Sequence, residues 1–351
     1  MEPHTDFPVI DSHIHLYAAS HIPTLNWTAD LPSNHPLNRQ SSVTEYRTAT
    51  SNRANLLGFV FLETDRKSGL NDNQWHDALE EVSYLARIAR GTPNEGEGHN
   101  TEDKSLVLGV VPWAPVPAGR AALEGYMNQV RGRCGSAWSL IKGVRYLVQD
   151  KPIGTMLQPD FVDGLRWLGE NGFAFDLGVD ARSGGVEQLR ETSEMMKRIY
   201  ANGTGPKIVI NHFCKPNLRL SRDDVLHGHA DFEDWKRHIR VMASYKSTYM
   251  KLSGFFSELL SQDAGVPTEV ETLLETTKPW VDAVFAEFGP SRIMYGSDWP
   301  VCTMGGPGIT KSWNHWYELV TALLADQKLS KEEKASIWCG TAVEAYNITL
   351  P

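Results

Sequence analysis

The sequence predicts an α/β fold in which eight parallel strands close into a (β/α)8 TIM barrel. Eight short apolar runs recur along the chain, and most are followed by a helical pattern. Such alternation is typical of a parallel sheet, and eight repeats over 351 residues fit one barrel. A doubly wound open sheet is the alternative, but no Gly-x-Gly-x-x-Gly or Gly-Lys-Ser/Thr loop follows a predicted strand.

The first half of the predicted barrel begins with residues 8–17, where an apolar run leads into His13 and His15. A polar segment, 18–46, follows, and its length exceeds that of a simple connection, so we predict a long functional loop. The second strand is predicted at 55–62. An amphipathic helix at 71–90 follows, because its apolar residues recur every three or four positions and a glycine stands at its end.

The later elements are predicted in the same way. Strands are expected at 106–111, 141–148, 173–179, 207–210, 248–254 and 292–295. Helices are expected at 119–133, 159–170, 186–200, 232–245 and 270–288, the last interrupted by Pro279, and at 311–324 and 331–346 after the final strand. The composition of residues 92–104 predicts a surface loop. We find no domain-sized linker and therefore expect residues 1–351 to form a single domain with extra C-terminal helices.

Composition excludes several classes of partner. The formal net charge is −9 and no dense Lys/Arg stripe occurs, which argues against nucleic acid. No apolar run approaches the roughly 20 residues that a membrane span needs. The N-terminal residues lack the features of a signal peptide, and the four cysteines show no Cys-x-x-Cys spacing. We expect reduced thiols and a cytoplasmic protein that acts on a small molecule.

Polar side chains stand at or near the ends of the predicted strands, and a barrel brings those ends together at one mouth. These side chains are His13, His15, Glu63, Arg145, His212, Lys251 and Asp298. His13 and His15 are two positions apart in an extended strand and therefore share a face. Neutral imidazole is a common metal ligand, so the pair predicts a site for one divalent cation.

Three of these motifs resemble the amidohydrolase superfamily: His13-Ile14-His15, His212, and Asp298 within Tyr-Gly-Ser-Asp-Trp-Pro. The chain looks most like the branch of barrel lactonases, and residues 10–17 and 61–64 are similar to the fungal L-rhamnono-1,4-lactonase group. The resemblance implies a lactonase that opens L-rhamnono-1,4-lactone, or a related aldonolactone, to the aldonate. It thereby implies a place in L-rhamnose catabolism, within carbohydrate metabolism.

The chain departs from many amidohydrolases at strands four and five. These enzymes carry a bridging lysine or glutamate and then a histidine, where this chain has Arg145 and Asp176. The departure implies one divalent metal at most, zinc or a similar ion, and the lactonase branch includes members that work without metal.

The chemistry of lactone hydrolysis suggests a role for each strand-end residue. We expect Asp298 to act as general base towards water, with His212 and Arg145 directed at the carbonyl oxygen. His13 and His15 would hold the metal, Glu63 would complete its shell, and Asp298 would contact it too. Alternatively, Arg145 binds a substrate carboxylate, or it forms a structural ion pair. Glu63, likewise, has the alternative of capping the next turn.

A second group of residues is expected to contact the substrate. Four aromatic residues form a rim over a sugar ring, and one lysine binds substrate oxygens: Trp27, Trp113, Tyr146, Trp299 and Lys251. The alternative for the aromatic residues is ordinary core packing, and for Lys251 it is an ion pair with an acidic neighbour.

Two other functions stay open from the sequence. A metal-dependent decarboxylase of a small aromatic acid shares the motifs after strands one and eight, but it would be expected to carry the missing histidine after strand five. A barrel that binds a small acid without catalysis is the non-enzymatic alternative, although binding alone does not need so many titratable groups. A homo-oligomer is also left open.

Overall fold

The computed structural model describes residues 7–350, and parallel strands form its centre. The first sheet consists of β1 (Val9–Ile14), β2 (Leu56–Leu62) and β3 (Val107–Val111), in that order. The second consists of β4 (Gly143–Arg145), β5 (Ala174–Leu177), β6 (Ile208–Ile210), β7 (Thr248–Leu252) and β8 (Ile293–Tyr295). Neighbouring strands are parallel throughout, so the prediction of a parallel α/β fold is confirmed.

Isolated parallel β-bridges connect the two sheets at both of their junctions. Between β3 and β4, Val110 pairs with Ile141 and Trp113 pairs with Arg145. From β1 to β8, each strand therefore lies beside the strand that follows it in the chain.

The other junction joins β1 to the segment that follows β8. The Trp299 carbonyl accepts a hydrogen bond of 2.7 Å from the backbone N–H of His15, and the Asp298 N–H donates one of 2.8 Å to the His13 carbonyl. The Ser297 N–H donates to the Asp11 carboxylate (2.7 Å), which also accepts from Trp313 Nε1 (2.8 Å). Asp11 is thus a structural carboxylate where β1 meets the segment that follows β8.

Helices follow most of the strands. They are α1 (Val43–Ala49), α2 (His76–Arg90), α3 (Gly119–Cys134), α4 (Pro159–Glu170), α5 (Gly185–Ile199), α6 (Arg222–Leu226), α7 (Ala230–Ala243), α8 (Phe255–Glu258), α9 (Val270–Phe288), α10 (Ser312–Asp326), α11 (Lys331–Ala335) and α12 (Thr341–Ala345). None of the helices in residues 7–350 is both long enough and apolar enough to span a bilayer. All four cysteines are buried free thiols, as the prediction of reduced cysteines requires.

Four sequence predictions need correction. Helix α1 begins inside the predicted loop 18–46, because Ser42 and Glu45 form a capping box. Pro279 lies within α9 without dividing it. The predicted helix 331–346 consists of α11, a π-helical turn (Ser336–Gly340) and α12. Residues 92–104 are not only surface, because ion pairs bury Glu97 against Arg87 and, from α1, connect Arg47 to buried Asp103.

A polar layer lies among the strands, below the ends that form the mouth. Lys251 on β7 donates a hydrogen bond of 2.6 Å to Asp176 on β5, and both side chains are fully buried. Tyr346, just after α12, donates to the same carboxylate at 2.8 Å. The C-terminal segment therefore packs against the interior side chains of the strands.

Candidate active site

A cavity of about 400 Å³ lies at the carboxyl ends of the strands. Its polar wall comes from residues that end or follow strands: His15, Thr64, Asp65, Arg145, His212, Lys215 and Asp298. Its apolar wall comes from the segment after β1 and from the segment after β8: Trp27, Leu31, Leu37, Pro300, Val301 and Met304. A cavity of this volume, with polar and apolar walls, is typical of a small-molecule binding site.

Asp298 stands at the centre of the polar wall. Its Oδ1 atom lies 3.5 Å from Nε2 of His13, 3.5 Å from Nε2 of His15 and 3.7 Å from Nε2 of His212. Burial alone would raise the pKa of Asp298, but the nearby His212 and His15 outweigh it, and the pKa lies below its usual value. Asp298 is therefore a carboxylate, able to accept a proton.

His13 and His15 share one face of the chain, as their spacing predicts, and their Nε2 atoms are 3.2 Å apart. His15 Nδ1 lies 3.0 Å from the carbonyl oxygens of Leu62 and Glu63. Since carbonyl oxygens only accept, Nδ1 carries a proton, and Nε2 is the nitrogen that faces Asp298. His15 lines the cavity, whereas His13 is fully buried behind it.

His212 reaches the cavity from an unusual turn after β6. Four consecutive residues, His212, Phe213, Cys214 and Lys215, have left-handed backbone angles, with φ of 54°, 53°, 61° and 45°. This conformation costs a non-glycine residue roughly 1–2 kcal/mol.

Neighbouring segments hold this left-handed turn in place. The N–H groups of Ala181 and Arg182 donate to the carbonyls of Cys214 (2.8 Å) and Lys215 (3.1 Å), and the indole of Trp235 donates to the Phe213 carbonyl (2.7 Å). The strain of the turn is thus offset by hydrogen bonds from outside it.

The ring of His212 is oriented by its neighbours on β7. His212 Nδ1 lies 2.8 Å from Ser253 Oγ. A Cβ atom on Gly254 would come within 2.4 Å of the same nitrogen, so only glycine leaves room for the ring. Burial lowers the pKa of His212 to about 3, and the ring is neutral at physiological pH.

Arg145 and Glu63 form a buried ion pair beside the cavity. Arg145 Nε donates to Glu63 Oε1 (2.5 Å), and Arg145 Nη2 donates to the Glu63 carbonyl (2.7 Å). Glu63 Oε2 accepts from the Asp65 N–H (2.5 Å). Arg145 therefore forms the structural ion pair that was one of its two alternatives, and it also lines the cavity. Burial would lower the pKa of Arg145, but Glu63 raises it above its usual value.

The five residues expected at the substrate lie in three different places. Trp27 lines the cavity, and its indole donates to the Thr64 carbonyl (2.9 Å). Trp113 and Tyr146 line a smaller neighbouring pocket of about 60 Å³, which shares Asp65 and Leu147 with the cavity. Trp299 and Lys251 are 2% and 0% exposed, respectively, and do not line the cavity. Lys251 instead forms an ion pair with Asp176, and the ring of Trp299 packs on Tyr46.

Sequence reasoning did not single out several residues that line the cavity. Thr64 and Asp65 directly follow the end of β2, and Lys215 follows β6 by a few residues, so the strand-end rule was signal enough. Burial and the nearby Glu63 raise the pKa of Asp65 to about 6. His35 comes from the long segment after β1, where no periodic pattern indicated its position.

Three buried side chains could hold a metal ion together. The donor atoms of His13, His212 and Asp298 all lie within 4.8 Å of one another. Burial lowers the pKa of both histidines, which leaves neutral imidazoles beside an ionised carboxylate. Two nitrogen donors and one carboxylate suit zinc or a similar cation. His15 lies next to this group, 3.5 Å from Asp298. Glu63, which we expected to complete the metal shell, is not part of the group, because its carboxylate pairs with Arg145.

Comparisons with known proteins agree on one family. The amidohydrolase family model matches residues 137–348. L-rhamnono-gamma-lactonase from Scheffersomyces stipitis is 35% identical over 97% of this chain and 99% of its own length. L-fucono-1,5-lactonase from Burkholderia multivorans is 27% identical over 71% of this chain and 74% of its own.

The fold has a counterpart among solved structures. The crystal structure of an amidohydrolase from Burkholderia multivorans with bound zinc superimposes with a TM-score of 0.69. The two sequences are 24% identical, and the match covers 97% of this chain and 99% of the other.

Proposed function

The chain belongs to the amidohydrolase family, and from that membership we propose that it is a lactonase, which hydrolyses a sugar-acid lactone to the open-chain aldonate. The proposed substrate is L-rhamnono-1,4-lactone or a related aldonolactone. Support comes from relatives named as L-rhamnono-gamma-lactonase and L-fucono-1,5-lactonase. A lactonase of this kind belongs to carbohydrate metabolism.

The observation that carries the proposal is the position of Asp298. Its ionised carboxylate lies within 3.7 Å of three imidazole nitrogens and faces a cavity large enough for a sugar lactone. Such a group can take a proton from water that attacks a bound ester.

The reaction needs one proton acceptor and donors for the carbonyl oxygen. Asp298 accepts a proton as the water oxygen adds to the lactone carbon. As the bond from that carbon to the ring oxygen breaks, the same proton passes to the ring oxygen, which becomes a hydroxyl group. The new carboxyl group then releases the other proton of the water to solvent, and the product is the aldonate. His212 and Arg145 line the wall beside this carboxylate. We propose that Arg145 orients the carbonyl oxygen, and that His212 does so in a site that holds no metal.

We propose that His13, His212 and Asp298 hold one divalent metal, with His15 next to them. A metal in such a site lowers the pKa of a bound water and polarises the ester. The histidine orientations support this proposal, because Nδ1 of His15 and Nδ1 of His212 already contact other groups and both Nε2 atoms point towards Asp298.

We also propose that the chain is one domain with the closed (β/α)8 barrel at its centre. The bridges at both junctions between the sheets support closure. The proposal extends to the whole chain, although residues 1–6 and residue 351 lie outside the described part. The cytoplasmic location remains a prediction from the sequence.

Incubation with a panel of aldonolactones that includes L-rhamnono-1,4-lactone tests this function. Acid release is followed with a pH indicator, with and without a chelator, and the spontaneous rate is subtracted. We expect at least one lactone to be opened faster than in buffer. No acceleration across the panel would overturn the proposal, and carbon dioxide release from small aromatic acids would favour the decarboxylase instead.

A further inference from the structure

Lys215 reaches the cavity through the left-handed turn that also carries His212. A tight turn of about three residues brings positions i and i+3 to the same side. His212 and Lys215 are three positions apart, and both side chains line the cavity. A right-handed turn at this point would direct the two side chains differently, so the position of Lys215 depends on the strained left-handed backbone.

The ammonium group of Lys215 has no partner among residues 7–350. Within the described chain it makes no hydrogen bond and no ion pair, and the residue is only partly buried. Two other buried cations near the cavity are neutralised, because Arg145 is paired with Glu63 and Lys251 with Asp176. Lys215 is therefore the cation of this wall without an ion-pair partner of its own in residues 7–350, and its charge helps to lower the pKa of the nearby Asp298.

We propose that Lys215 is a catalytic residue, whose ammonium group binds the oxyanion that forms at the lactone carbonyl. This inference rests on the proposed function. As the water oxygen adds to the lactone carbon, the carbonyl electron pair moves to the carbonyl oxygen, and Lys215 donates a hydrogen bond to that oxygen. On collapse the pair returns and the bond to the ring oxygen breaks. Lys215 keeps its protons throughout, while Asp298 takes a proton from the water and passes it to the ring oxygen.

Charge balance favours Lys215 over Arg145 for this role. The guanidinium of Arg145 already faces the carboxylate of Glu63, so the pair carries no net charge. An oxyanion gains most from a donor whose charge is not already compensated, in a site partly shielded from water. The long and flexible lysine side chain can also follow the carbonyl oxygen as the carbon becomes tetrahedral.

The test compares Lys215→Met, Lys215→Arg and Lys215→Gly with the wild type on the lactone that the wild type opens fastest. We expect Lys215→Met to lower kcat by about 100-fold or more and to change KM little, because the charge develops only in the transition state. Lys215→Arg should recover part of the loss. Lys236→Met is the matched control, since Lys236 is a partly buried lysine on α7 near Phe232, and it should leave kcat unchanged.

Two further measurements separate catalysis from folding. Lys215→Gly removes the side chain and relieves the left-handed strain, so this variant should unfold no earlier than the wild type yet lose kcat. Calorimetric titration with L-rhamnonate should show weaker binding to Lys215→Met, because the product carboxylate places an anionic oxygen at the same point.

The outcomes distinguish this inference from the proposed function. An active wild type with a Lys215→Met variant of equal kcat would overturn the role of Lys215 alone. A wild type that opens no lactone would overturn the function itself. If Lys215→Met does not fold, full activity in a folded Lys215→Gly variant would equally overturn the role.

Discussion

The Nε2 atom of His15 lies 3.5 Å from Oδ1 of Asp298, although 283 positions separate the two residues in the sequence. The contact exists because the end of β1 is hydrogen-bonded to the segment after β8. A carboxylate and a lone pair at this distance repel each other unless a proton or a cation lies between them. The pair is therefore arranged for proton transfer or for metal binding.

Asp298→Asn should lower kcat by about 10²–10⁴-fold, because an amide accepts no proton from water. Steady-state kinetics on the preferred lactone measures the loss. Circular dichroism should show an intact fold, and unfolding of this variant would instead identify Asp298 as structural. Asp72→Asn, at an exposed position, is the control and should behave as the wild type.

His13→Gln should remove metal binding without opening the cavity, because His13 is fully buried behind the wall. Elemental analysis should find up to one divalent ion per wild-type chain and none in the variant. A chelator should lower the unfolding temperature of the wild type only, since a metal that binds the native state stabilises it. Equal metal content in both proteins would contradict the proposed ligands; His76→Gln, at an exposed position, is the control.

Arg145→Met should destabilise the protein by about 3–5 kcal/mol, because it leaves the Glu63 carboxylate buried without its partner. Denaturant unfolding measures this loss, and the added change Glu63→Gln should restore much of it. Activity should stay low in both variants, since both lack the guanidinium. Arg120→Met breaks an exposed pair with Glu170 and should leave stability unchanged. A double variant no more stable than Arg145→Met would show that the two residues are not coupled.

The pH dependence of stability should reveal the buried carboxyl group of Glu81. Burial raises its pKa from 4.5 to about 7, so between these values the native state holds a proton that the unfolded state has released. Stability contributed by this group is present below about pH 4.5 and falls as the pH rises towards 7, by about 3 kcal/mol in total. Relative to Glu81→Gln, the wild type should therefore lose stability over this interval.

The comparison uses denaturant unfolding of both proteins at a series of pH values, so that the contributions of the histidines cancel in the difference. Glu102→Gln, at an exposed position, should show the same pH profile as the wild type. A constant difference between wild type and Glu81→Gln from pH 4.5 to 7 would contradict the prediction.

Strand positions could be predicted from the sequence, because buried strands are short apolar runs bounded by polar or glycine-rich residues. The predicted run 55–62 became Leu56–Leu62, and 207–210 became Ile208–Ile210. Because the ends of parallel barrel strands meet at one mouth, the sequence alone predicts that His13, His15, His212 and Asp298 lie together.

Other features escaped because they depend on distant contacts. The left-handed backbone conformation of the four residues 212–215 has no local sequence signal, since none of them is glycine. Hydrogen bonds from Ala181, Arg182 and Trp235 hold the backbone in this conformation. The burial of Lys251 and Trp299 likewise follows from their partners, Asp176 and Tyr46, which lie far away in the chain. Strand-end position alone does not tell a cavity residue from one directed into the interior.

The junction between β1 and the segment after β8 also bears on biosynthesis. Ser297 donates to Asp11 from 286 positions later, and Tyr346 closes the interior from nearly the last residue described. A chain is made from its N-terminus and begins to fold in that order. His13 and His15 are therefore synthesised well before Asp298, and they meet it only after the segment that follows β8 has emerged. Chains that stop before this segment would carry neither the proposed metal site nor the proposed base, so they would have no activity.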